Sequence, residues 1–489
     1  MILDIPVSLV NFCSQFLPTL GQFAPAHVAE MLPAILAAIA SSSGPRNSLS
    51  SIGKQVYGHV RHKSTISRML RCKSFRSRDL HWELIRLLLL VLAPLAGSQE
   101  WLLAIDATSL QRGADTRIRG GIHPDRRQAN KLKRKVRKCR ANGKRITTAR
   151  EAKKGRKTKY FTVLLGALIT HQGVRLALPR YTCDPKDFNR GPGRPKSKRE
   201  TQLDLAKVMI LKLLRMLSKS VKLVVVADSY YESQKLVRCA RARGFTFISP
   251  LDTNRCFARK DDPNKSNGSR IWNHGLKLPK ETSSRLDLVR GSEETASYRR
   301  YSQRTPGPRD RRTYWLHHER RTVAKLGEVG IVYSWKTPVY EPRKSFGRKS
   351  FKILMCSNPT WSAQKVAEWY EMRWTAIEIL IRELKQELGF EDYSGLSLQA
   401  MERYLDLVLI SFLYLEMRRV GVLDDADASP TERHVAATAR TSGMKGLVRA
   451  EADRQLLSAI HQALYFPRQR RLVMDFLSAD TQMHRFTNP

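Results

Sequence analysis

The chain has 489 residues, with 87 Lys plus Arg against 44 Asp plus Glu, a formal net charge of +43 and 42% hydrophobic residues. That length corresponds to about two to four domains with enough apolar content for real cores. A positive excess this large goes beyond what solubility needs and calls for a polyanionic partner, with nucleic acid ahead of a membrane surface.

The apolar runs argue against a membrane span. "LIRLLLLVLAPLAG" (84–97) carries Arg86 and breaks at Pro94, and "LDLVLISFLYLEM" (405–417) carries Asp406. Both fall short of the roughly 18–20 uninterrupted apolar residues a span requires, and read as core helices. The N-terminus "MILDIPVSLVNFCSQF" has an acid and no basic leading region, unlike a signal peptide, so the expected compartment is the cytoplasm. Seven scattered cysteines without a C-x-x-C pair indicate neither a disulfide framework nor a zinc site. His317 and His318 are adjacent and in a strand point to opposite faces, which does not make a ligand pair.

In chain order, residues 1–97 read as a helical DNA-binding region. It ends in "SLSSIGKQVYGHVRHKSTISRMLRC" (48–72), where two short amphipathic stretches flank a turn near His62 and Ser64 is placed to cap the second. This resembles a helix-turn-helix whose second helix, carrying Arg68 and Arg71, enters a major groove; the competing reading is an ordinary helical hairpin. "WLLAIDATSLQR" (101–112) is an apolar strand that ends on Asp106. A basic tract over 126–159 follows, a solvated face that also suits phosphate contact. "YFTVLLGALIT" and "GVRLALPRYT" then form a hairpin around 171–173.

"NRGPGRPKSKRE" (189–200) is linker chemistry with a core like a minor-groove hook, in which Arg194 would lie in an A·T groove. A helix over about 200–218 leads to "KLVVVADSYYES", a doubly buried strand closed by Asp228. A helix over 231–243 and the strand "FTFISPL" complete a β-α-β-α-β order. Residues 252–345 read as a β-rich insertion domain, after which "SFKILMCSN" and a long helix over 362–390 restore the core pattern. The α/β core domain is thus expected to be discontinuous, over 98–251 and 346–420, with 421–489 a helical C-terminal region.

A three-strand meander, two crossover units and a helix after an insertion resemble the ribonuclease H-like fold: an α/β mixed sheet flanked by helices. In that fold the first and fourth strands are parallel neighbours, so Asp106 and Asp228 would project from one sheet edge. Adjacent carboxylates resist joint ionisation unless divalent cations hold them. The third acid should come from "RWTAIEILIRELK", which offers Glu378, Glu383 and Glu387; Glu378 is preferred because it shares a helix side with Lys385, seven residues on.

Asp106, Asp228 and Glu378, with Tyr370, Arg373 and Lys385 spaced as a Tyr-Arg-Glu-Lys signature, resemble the DDE transposases of bacterial insertion sequences, in particular the insertion sequence four family. The resemblance implies Mg²⁺-dependent cut-and-paste transposition in the bacterial cytoplasm, at the nucleoid. Asp106, Asp228 and Glu378 would bind two Mg²⁺ ions, for which Mn²⁺ can substitute. Tyr370, Arg373 and Lys385 would hold phosphates of double-stranded transposon-end DNA, Trp335 or Trp315 would stack on a flipped base, and a homodimer would pair the ends before attack on target DNA. The rival readings are a metal-dependent nuclease of the same fold and a non-catalytic nucleic-acid-binding protein. One departure stands out: four residues separate Arg373 from Glu378 where the family has three. Five α-helical steps turn about 140°, facing Arg373 away from the acid. The spacing therefore predicts a π-bulge or short break between Trp374 and Ile377. In a regular helix Arg382 would be the better phosphate ligand.

Overall fold

The computed structural model describes residues 7–17, 20–41, 52, 63–92, 99–112, 159–170, 173–183, 201–278, 284–289, 311–335, 351–393, 397–421, 423 and 441–464. The first arm of the expected helix-turn-helix, the tract over 126–158 and Arg194 lie outside them.

Helices α1 (Val7–Phe16), α2 (Leu20–Phe23), α3 (Ala26–Ser41), α4 (Lys63–Arg71) and α5 (Ser77–Leu92) precede the sheet. Strands β1 (Glu100–Arg112), β2 (Lys159–Ile169), β3 (Arg175–Ala177) and β4 (Tyr181–Cys183) form the meander. Then come α6 (Gln202–Leu214), β5 (Lys222–Ala227), α7 (Gln234–Arg243) and β6 (Thr246–Pro250). Each crossover helix is capped as its sequence allows. Thr201 and Asp204 form a reciprocal capping box on α6, and Ser233 accepts from the Leu236 amide on α7, which stops at Gly244 with φ of 73°.

The sheet order begins β3-β2-β1-β5-β6, with β4 also on β2. β1 is antiparallel to β2 and parallel to β5, and β5 is parallel to β6. This is the strand arrangement of the ribonuclease H-like fold expected from the meander and crossovers. β5 is buried from Leu223 to Ala227, which explains its unbroken apolar run: helices cover both faces of a parallel pair.

The insertion does not build a sheet of its own. After β7 (Cys256–Ala258), β8 (Ser266–Arg270), helix α8 (Ile271–Lys277), β9 (Ser284–Val289), β10 (Arg311–Val323) and β11 (Gly327–Trp335), strand β12 (Phe351–Cys356) joins β6 antiparallel, and β11, β10, β7 and β8 continue outward in the same sheet. Trp335 is 7% exposed and sits in register with Trp315, with Tyr333 stacked 6.3 Å away. Its apolar area is spent in the core, so in this arrangement it offers no platform to a base.

Helices α9 (Ala363–Arg373), α10 (Ile379–Gln386), α11 (Leu398–Arg419) and α12 (Thr441–Leu464) complete the chain. α11 is buried nearly all round, packing on α3, α4 and α5. Its polar residues are paired inside: Arg180 Nε lies 3.1 Å from Asp406, and Arg419 pairs with Glu416. The termini meet where Ser8 Oγ donates to Glu451 at 2.8 Å. α4 begins at Lys63, one residue before Ser64. Arg68 is exposed on α4. Among the described residues no helix is long and apolar enough to cross a membrane, and the cysteines are free thiols.

Candidate active site

Parallel pairing of β1 with β5 ends at Ile105 opposite Ala227. One residue further, each chain carries an aspartate, Asp106 and Asp228. The sequence reading ended the first strand at Asp106, but β1 continues to Arg112 on β2 alone. Asp106 therefore marks where β1 loses β5, because the chain after Ala227 turns away. Asp228 makes that turn: its side chain accepts from the Tyr230 amide at 2.8 Å and caps a 3₁₀ turn, Ser229–Tyr231.

The two faces of the sheet carry different things. Gly166 of β2, in register with Ile105, lies under Met209 of α6. Asp106 is the next residue along and so projects to the opposite face, where α9 and the turn after it pack. A basic pocket of about 550 Å³ between α6 and α7, lined by Lys207, Lys235, Arg238 and Arg243, belongs to the helical layer over Gly166 and is separate from the carboxylates.

The long helix is interrupted by a π-helical turn over Trp374–Glu378, in which the Ile379 amide donates to the Trp374 carbonyl five residues back. The sequence predicted a break between Trp374 and Ile377, and the turn covers it. The extra residue is absorbed as one wide turn, so Arg373 and Glu378 face the same way. Arg373 Nη2 donates to Glu378 Oε1 at 2.7 Å and Nη1 to Asp106 Oδ2 at 2.9 Å. One guanidinium joins the acid of the first strand to the acid of the helix.

Burial raises the Asp106 carboxyl above the usual carboxylate range; the Arg373 charge and the Ala107 amide oppose the shift, and the Asp228 charge adds to it. Tyr370 is buried on α9, and its phenol is raised by that burial, with Arg373 acting against it. Lys385 donates to the Ser109 carbonyl at 3.2 Å and pairs with Glu391 at 2.5 Å, which ties α10 to β1 beyond Asp106. Arg382 is exposed on α10. Of the other acids offered by the helix, Glu383 is buried against Arg175 at 2.6 Å, a structural pair. Tyr230, 52% exposed and two residues past Asp228, is a rim residue that the sequence reading did not single out; the doubled tyrosine of "DSYY" was the available signal.

The donor set is all carboxylate oxygen, which suits a hard divalent cation. Among the described residues no three His, Cys, Asp or Glu side chains are grouped so as to hold a metal ion. Two of the three candidate acids are instead turned onto the Arg373 guanidinium, so one positive charge already lies between them.

The fold and the acids thus define a class: a ribonuclease H-like protein with a carboxylate site at the fork of its two central parallel strands. Residues 200–413 match the family model described as the transposase DDE domain, so the chain carries a segment similar to that domain. The match includes Asp228 and Glu378, while Asp106 lies before it. No curated protein matches the chain.

Proposed function

We propose that the protein carries out cut-and-paste transposition of an insertion sequence, cleaving the transposon ends and joining them to target DNA, with Asp106, Asp228 and Glu378 as its metal-binding acids. The observation that carries this reading is the meeting of Asp106 on β1 with Glu378 through Arg373, beside the parallel neighbour that bears Asp228. When bound, a pair of Mg²⁺ ions supplies positive charge to the attacking and leaving oxygens of an in-line displacement. The three carboxylates would hold that charge beside the carboxyl ends of the paired segments of β1 and β5, with Asp228 already fixed by its turn. Lys385 and Tyr370, at either end of the interrupted helix, orient the phosphates of the bound strand. The interrupted signature, with Arg373 and Glu378 brought to one side, supports a reading within the Tyr-Arg-Glu-Lys group of bacterial insertion-sequence transposases. Its place of action is the bacterial cytoplasm, as a dimer when two ends are paired.

The test is an end-cleavage and strand-transfer assay with Mg²⁺. Asp106→Asn, Asp228→Asn and Glu378→Gln should each keep DNA binding, since none removes a phosphate contact, while cleavage falls by orders of magnitude. Joining of a cut 3′-hydroxyl to a second duplex separates a transposase from a nuclease of the same fold. Full activity in any of the three variants would refute the assignment.

A further inference from the structure

Both oxygens of Asp106 are engaged. Oδ1 accepts from the Ala107 amide at 2.7 Å and Oδ2 from Arg373 Nη1 at 2.9 Å. The second arm of the same guanidinium holds Glu378 at 2.7 Å, and the Arg373 side chain is only 13% exposed. Among the described residues Asp228 is held, by contrast, through Oδ1, by the Tyr230 amide. Two of the three acids are therefore paired with one internal cation, while among the described residues the third has no cation beside it.

A divalent ion competes with the guanidinium for Asp106 and Glu378, because like charges at that separation repel and the guanidinium already occupies one oxygen of each acid. Arg373 does have an alternative partner of the right chemistry. A planar guanidinium pairs as well with a phosphodiester as with carboxylates, and the π turn aims it at the edge where a DNA strand must pass for the acids to act.

We propose that Arg373 is a positioning residue that competes with the metal for Asp106 and Glu378 in the DNA-free protein, and that a DNA phosphate, by drawing Arg373 away, opens the carboxylates to divalent ions. This rests on the metal-site reading given above. Metal and DNA binding are then positively coupled, and by linkage the coupling is the same in both directions. The device keeps a highly charged nuclease centre closed until the substrate is seated.

The test is titration of full-length protein with Mn²⁺ alone, followed by calorimetry or by loss of the free-ion paramagnetic signal. Arg373→Gln, which keeps the shape and removes the charge, should bind Mn²⁺ about tenfold to a hundredfold more tightly than wild type, the range set by one or two charge-assisted bonds. Arg373→Lys keeps the charge but loses the two-armed bridge and should fall between wild type and Arg373→Gln, and Asp106→Asn in the Arg373→Gln background should abolish the gain. A duplex copied from the DNA flanking the reading frame should raise the wild-type Mn²⁺ affinity toward that of Arg373→Gln and leave the variant's almost unchanged. Circular-dichroism melting confirms that each variant is folded. Equal Mn²⁺ affinity in wild type and Arg373→Gln, or a wild-type affinity that the duplex does not move, overturns the competition while sparing the metal-site reading. Absence of Mn²⁺ binding in every protein, with or without duplex, overturns both.

Discussion

At Gly166 the β2 backbone passes directly under α6. A Cβ built there would lie 2.6 Å from Met209 Sδ, 3.2 Å from Leu178 Cδ1 and 3.4 Å from Leu103 Cδ1. The nearest of these is the end of a flexible side chain, so Gly166→Ala should be absorbed at small cost. Gly166→Val adds branches that Leu178 and Leu103, both fully buried, cannot clear, and is expected to destabilise by about 1–3 kcal/mol through overpacking. Denaturant titration of the two variants checks the difference. The position also bears on function: Gly166 is in register with Ile105, so lifting β2 there disturbs the strand segment that presents Asp106.

Among the elements, the π turn decides whether the signature works. With the Ile379 amide bonded to Trp374 in place of Thr375, five residues span one wide turn. Deleting Trp374, which is 46% exposed, should let the helix close as a regular α-helix with Arg373 and Glu378 four steps and about 40° apart. The deletion is expected to fold with stability within about 1 kcal/mol of wild type, as for changes away from the core, and to keep cleavage. A loss of cleavage in a folded deletion variant would mean that the wide turn itself is required. Helix α5 supplies a second element-scale prediction. His81 is fully buried, its Nε2–H donates to the Ala177 carbonyl at 3.0 Å, and burial pushes its pKa down to about 3. The ring is neutral in the fold but takes up a proton in the unfolded chain near pH 6.5. Between those values the unfolded state binds more protons, so the stability contributed by His81 is complete above about pH 6.5 and declines as the pH falls toward 3. At pH 5 the loss amounts to about 2 kcal/mol relative to pH 8. Comparing the pH dependence of unfolding in wild type and His81→Gln isolates this slope.

At the scale of the whole molecule, the site is shared between segments far apart in the chain. The region matching the transposase DDE domain, 200–413, omits β1 through β4. Cut out on its own, it would turn β5 into an edge strand whose Leu223, Val224, Val225 and Val226 are almost wholly buried in the intact sheet. It would also strip the cover from Met209 and Ile210 of α6, and from α11, which relies on the N-terminal helices and buries Asp406 against Arg180. A 200–413 fragment should therefore show no cooperative denaturant transition, whereas the full chain should; a fragment that unfolds cooperatively would show that the sheet tolerates the missing half.

The sequence by itself determined what depends on local pattern. Unbroken apolar runs marked the parallel strands because two covered faces demand them, the order of strands and helices limited the topology, and acids at the ends of such runs marked the candidate site. Helix geometry even located the wide turn, because one extra residue between Arg373 and Glu378 has few ways to be accommodated. Only the tertiary structure decided matters of partner and contact. It joined the insertion's strands to the main sheet, since edge hydrogen bonds leave no local trace in composition. It buried Trp335, gave Glu383 to Arg175, and let β1 run past Asp106. It also set Arg373 between Asp106 and Glu378, a pairing across 267 positions of chain that spacing along one helix cannot express.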